Sequence, residues 1–68
     1  MDDATSDIMR HNYKALSESD QVRVRQVKDV GRAFFYLCDE LGKSRELSLA
    51  KTKIEEAVFW AVNHITKE

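Results

Sequence analysis

Val24-Arg25-Gln26-Val27-Lys28-Asp29-Val30-Gly31-Arg32-Ala33-Phe34-Phe35-Tyr36-Leu37-Cys38-Asp39-Glu40-Leu41, followed at once by Gly42-Lys43-Ser44, is the stretch that decides the fold. Its apolar positions Val24, Val27, Gly31, Phe34, Cys38 and Leu41 alternate strictly by three and four, the spacing of one helix face. A second row, Val30, Ala33, Leu37 and Leu41, widens that face beyond the stripe a single partner helix covers. Gly31 costs about 1 kcal/mol against alanine inside a helix, so its position predicts close approach of another backbone or a ligand. Gly42 suits a left-handed C-cap, and Ser44 suits the N-cap of the next helix. A connection this short forces an antiparallel return.

Upstream, Ser17-Glu18-Ser19-Asp20 sets a hydroxyl N-cap three residues before a carboxylate. Downstream, the returning helix carries Leu47, Ala50, Ile54, Ala57, Ala61 and Ile65 at the same spacing. Val58, Phe59, Trp60 and Val62 lie beside or opposite that row, more apolar surface than the hairpin's inner seam can face. Trp60, set in Val58-Phe59-Trp60-Ala61, is expected in a core or an interface. Thr5 or Ser6 can cap a short N-terminal helix that docks Ile8 and Met9. The fold expected is all-α: one domain over residues 1–68, with a short helix and lead-in at 1–16. Long helices follow at 17–42 and 44–67, forming an antiparallel two-helix hairpin assembled into a homo-oligomer. Oligomerisation is expected because exposed contiguous aromatic surface is a liability and so short a chain has little core of its own.

Composition agrees with long helices and short turns: no proline, only two glycines, charge spread evenly. Cys38 is the only cysteine, so it forms no internal disulfide and joins no zinc cluster. The acidic, polar start Met1-Asp2-Asp3-Ala4-Thr5-Ser6-Asp7 does not read as a signal peptide. No apolar run approaches the roughly 20 residues of a membrane span, and a cytosolic protein is expected. A formal net charge of −1 argues against a dedicated DNA or RNA duplex binder. Arg23, Arg25, Lys28 and Arg32 still make a local basic cluster among valines, either a solvated helix face or a small-anion site.

Catalysis finds little support. His11 and His64 lie near opposite ends of the sequence, and His64 near a helix C-terminus suits a dipole contact or solvent. Glu55 and Glu56 are adjacent and point about 100° apart on a helix, so they do not pair as carboxylates. With Lys51 and Lys53 they are expected on a solvated charged face or in pairs between subunits. There is no phosphate-cradling glycine loop, nucleophile elbow or zinc spacing, so neither a cofactor nor a resident metal is expected. Arg45, Ser48 and Thr52 recur at three-four spacing beside a helix N-terminus, which is either a phosphate-binding face or simply a helix start with surface residues.

Three segments together carry a family resemblance: Asn12-Tyr13-Lys14-Ala15-Leu16-Ser17, Gln26-Val27-Lys28-Asp29-Val30-Gly31, and Ser44-Arg45-Glu46-Leu47-Ser48-Leu49-Ala50-Lys51-Thr52-Lys53-Ile54-Glu55-Glu56-Ala57-Val58-Phe59-Trp60-Ala61. They resemble the hairpin domain of the phage anti-CBASS sponges, shared with the anti-Thoeris sponge, from roughly Tyr13 to Ile65. The resemblance implies a homohexamer in the host bacterial cytosol that binds cyclic dinucleotides between protomers, and in some members cyclic trinucleotides in separate pockets, without cleaving them. It implies that Tyr13 stacks on a purine and Lys28 meets a phosphate in the dinucleotide pocket. Arg45, Ser48 and Thr52 would serve the trinucleotide pocket. Read without it, Tyr13 would anchor the first short helix to the hairpin. The turn is short for that family, so a pocket built partly from the loop would be reduced. The reading of a different class is a helical protein-interaction module that docks its apolar face into another protein.

Overall fold

A computed structural model describes residues 15–67. Two helices fill them, α1 (Glu18–Leu41) and α2 (Arg45–Thr66), joined by residues 42–44. The expected short N-terminal helix lies outside the described residues.

Local chemistry sets each boundary. Ser17 is the N-cap of α1, and its Oγ accepts from the backbone N–H of Asp20 at 3.0 Å. Ser44 does the same for α2, accepting from the Leu47 N–H at 3.0 Å. Each serine satisfies one of the amides that a helix start leaves without an intrahelical partner. Gly42 ends α1 with φ 128° and ψ −148°, a region essentially reserved for glycine, and donates its N–H to the Asp39 carbonyl at 3.3 Å. The positive φ is as the sequence suggests, but this is a more extended conformation than the left-handed helical cap. It lets the chain reach Ser44 and reverse within three residues.

The helices run antiparallel. Gly31 faces Val58, while Asp39 meets Lys51, so eight residues forward along α1 correspond to seven back along α2. They pack closely at Gly31, where a Cβ atom would stand 2.3 Å from Val58 Cγ2. The glycine therefore marks close helix packing, as its cost in a helix interior implies.

Each sequence seam shifts by one residue at a single position. Phe35 and Val58 turn inward, whereas Phe34 is 52% exposed and Ala57 is exposed. Leu41 is also exposed, at the end of α1. A helical turn takes 3.6 residues, so a row built from steps of three and four can follow either neighbour, and the partner helix selects between them. Only Cys38, 1% exposed, and Ile54, 8% exposed, are buried apolar residues among those described. Val24, Val27, Leu47, Ala50, Ala61 and Ile65 are half-buried around them.

One further expectation changes. Lys51 leaves the solvated face: its ammonium pairs with Asp39 of α1 and lies 5.2 Å from the centre of the Phe35 ring. The alkyl stem lets a lysine cover apolar surface while its charged end reaches a carboxylate. Trp60 is outside the hairpin's own core, 59% exposed, with its ring edge-on to Phe59 at 4.9 Å between centroids. Lys53 and Glu56 do form a pair on the exposed face, at 3.5 Å. No helix among the described residues is long and apolar enough to cross a membrane.

Candidate ligand-binding grooves

The helix pairing creates grooves on both faces of the hairpin. On α1, Gln26, Val30 and Phe34 alternate with Lys28, Arg32 and Tyr36, two residues and hence about 200° away. The first set borders an open apolar groove of about 600 Å³, floored by Val27, Gly31, Ile54 and Val58 and flanked by Ala50, Ala57 and Ala61. The second set faces the other way.

Lys28 stands where two grooves of that second face meet. One, about 480 Å³, runs toward the open end of the hairpin between Leu16, Phe59, Val62, Asn63 and Thr66. The other, about 470 Å³, runs toward the turn and gathers Arg32, Phe35, Tyr36 and Glu55. Lys28 is exposed, and no carboxylate among the described residues pairs with it. Its ammonium is thus available to a ligand lying in either groove. Arg32 has a partner on its own helix, Asp29, at 3.3 Å. Both side chains of that pair are about 60% exposed, so the pairing is worth at most about 1 kcal/mol and is readily exchanged for a phosphate.

The basic cluster read from the sequence therefore divides. Lys28 and Arg32 share a groove, while Arg23 donates to Gln26 Oε1 at 3.0 Å and, like Arg25, lines none of these grooves. Tyr13 lies outside the described residues; Leu16, three residues on, borders the groove that Lys28 shares.

Arg45, Ser48 and Thr52 are all exposed on one face at the start of α2. The Thr52 hydroxyl donates to the Ser48 carbonyl at 3.1 Å, so it offers lone pairs unless its proton is redirected. Thirteen residues separate Arg45 from Val58, which is level with Gly31 and borders both Lys28 grooves; that is about 20 Å along the helix. Within one hairpin the two sets of candidate residues therefore form separate patches.

Tyr36 and Glu55 were not singled out from the sequence as binding residues. Tyr36 follows Lys28 and Arg32 at four-residue intervals, a signal available in the sequence. Glu55 is on the other helix, and only the pairing register brings it to the same groove. Among the described residues no cluster of His, Cys, Asp and Glu has the makeup of a metal site.

The antiparallel helix pair with its short turn defines a small helical hairpin domain. The chain belongs to the Acb2/Tad1 hairpin-domain family, the anti-CBASS and anti-Thoeris sponges: the family model described as "Acb2/Tad1, hairpin domain" matches residues 6–66. That family is one of sponge-type binding domains rather than catalytic ones. No curated protein and no solved structure matches the chain.

Proposed function

We propose that this protein is a non-catalytic sponge that sequesters cyclic oligonucleotide second messengers and so blocks CBASS immunity in the host bacterial cytosol. The observation that carries the reading is Lys28: in a chain of the sponge family, an ammonium with no carboxylate partner among the described residues sits at the junction of two grooves that also hold aromatic rings. Ammonium-to-phosphate hydrogen bonds are charge-assisted, and aromatic rings stack on bases for roughly 1 to 3 kcal/mol each. Lys28 would take a phosphate of a cyclic dinucleotide and Tyr13 would stack on a purine. Arg45, Ser48 and Thr52 would form a separate site for cyclic trinucleotides, completed by neighbouring protomers of a homohexamer. The distance between the patches favours two kinds of site over one extended site.

Sequestration works by mass action, with tight affinity in place of turnover. Incubation with the protein should remove free cyclic dinucleotide from solution, and heating the complex should release it intact. Linear or hydrolysed nucleotide in the released fraction would overturn the reading in favour of an enzyme. A cyclic dinucleotide should also raise the melting temperature by several degrees, because it binds only the folded state. Tyr13→Ala with Lys28→Ala should erase that shift while leaving the assembly intact.

The apolar groove lined by Val30, Phe34 and Ala57 gives the docking-module reading its one specific support. A module of that kind would show no thermal response to any cyclic nucleotide.

A further inference from the structure

We propose that the groove between Lys28 and Tyr36 reads guanine, with Glu55 as the residue that selects the base. The proposal rests on the sponge reading and names the base that the same site prefers.

Four side chains of different chemistry line this groove: Lys28, Arg32, Tyr36 and Glu55. Gly31 faces Val58, which puts Glu55, three residues earlier on α2, level with the Phe34–Phe35 step of α1, and Tyr36 lines the same groove just beyond it. Lys28 lies six to seven residues before that step, or about 9 to 11 Å along the axis. Arg32 stands between them, so the groove runs from a cation at Lys28, past a second at Arg32, to the aromatic and acidic groups of Tyr36 and Glu55. A nucleotide has the same polarity, with phosphate at one end and the hydrogen-bonding edge of its base at the other.

Glu55 shares the groove with two cations, yet no ion pair joins it to any described residue. Its neighbour Glu56 takes Lys53 instead. An ionised carboxylate only accepts hydrogen bonds, through two oxygens. Guanine presents two adjacent donors, N1–H and the N2 amino group, and matches that pair. Adenine presents an acceptor, N1, beside its N6 amino group, and sets a lone pair against the carboxylate. Tyr36, exposed and edge-on to Phe35 with 6.3 Å between ring centroids, offers a flat surface for either purine. Arg32, released from Asp29, would take a second phosphate one turn from Lys28.

Tyr36 and Arg32 should therefore set affinity, and Glu55 should set the choice of base. Matched bidentate contacts to a base discriminate by roughly tenfold to a hundredfold. Calorimetric titration of the full-length protein with cyclic di-GMP and cyclic di-AMP tests this. The wild type should bind the guanine ligand more tightly by about that factor. Glu55→Gln replaces two acceptors with one acceptor and one donor, a pattern that fits adenine as well, and should bring the two affinities together. Tyr36→Leu should weaken both ligands and leave their ratio unchanged. Glu55 and Tyr36 are exposed, so circular dichroism should report unaltered helix in each variant. Equal binding of the two ligands by the wild type, or an undiminished guanine preference in Glu55→Gln, would overturn the base-reading proposal and leave the sponge reading standing. Absence of binding to either ligand would remove the dinucleotide site of the sponge reading, and this proposal with it.

Discussion

An alanine methyl at position 31 would stand 2.3 Å from Val58 Cγ2 and 3.9 Å from Ile54 Cγ2. Val58 cannot easily yield, because a β-branched side chain in a helix holds one strongly preferred rotamer. Alanine gains about 1 kcal/mol in helix propensity over glycine, but overpacking costs typically 1 to 3 kcal/mol. Gly31→Ala should therefore destabilise the protein by about 1 kcal/mol, measured by urea denaturation, and a stabilised variant would show that the helices are not closely apposed. Val58→Ala in that background should destabilise by less than the two single changes added together, because it removes the colliding methyl. The demand for close approach at Gly31 is legible in the sequence, since a glycine inside a strong helix needs a reason. Its partner is not: the spacing Ile54, Ala57, Ala61 points to Ala57, and only the docking of α1 selects Val58 instead. Tyr36 and Glu55 follow the same logic, one legible as the end of a four-residue series and the other dependent on the pairing of two helices.

Helix boundaries are the features that the sequence expresses most directly, because each depends on neighbours within a few residues. Ser17, Gly42 and Ser44 all hold the capping positions that their side chains, or the lack of one, predict. Their energetic roles differ. Ser44→Ala removes one hydrogen bond to the Leu47 N–H and should cost about 1 kcal/mol. Gly42→Ala meets no atom within 4 Å, so any loss must come from the backbone, where φ 128° should cost about 1 to 3 kcal/mol with a side chain present. Equal stability of Gly42→Ala and wild type in urea titrations would mean that the turn relaxes into an ordinary conformation. Lys51 shows what local reasoning leaves out. Its neighbours in sequence suggest a solvated charged strip, but its partners Asp39 and Phe35 belong to the other helix. The Asp39 carboxylate is about half exposed, so the pair fixes register more than it adds stability.

At the scale of the molecule, the hairpin leaves most of its apolar surface uncovered. Two of the described residues are buried, while Val30 is 70% exposed and Phe34, Leu37, Phe59 and Trp60 are each half exposed or more. A chain of this size buries a smaller fraction of its surface than a larger domain does, and a single helix pair with so little core is marginal by itself. Covering the groove bordered by Val30, Phe34 and Ala57 with a second hairpin would supply the missing burial and hold the polar grooves in fixed relation to a neighbouring protomer. Stability and ligand affinity would then depend on the same contact. The melting temperature of the wild type should rise with protein concentration, as mass action requires for a fold stabilised by association. Phe34→Glu sets a charge on the border of that groove without touching Lys28, Tyr36 or Glu55, which face the other way. It should lower the melting temperature, abolish its concentration dependence and weaken cyclic dinucleotide binding at least tenfold. Sedimentation should report the smaller species in parallel. If Phe34→Glu dissociates the protein but binds cyclic dinucleotide at full affinity, a single hairpin contains the whole site, and the link between assembly and binding fails.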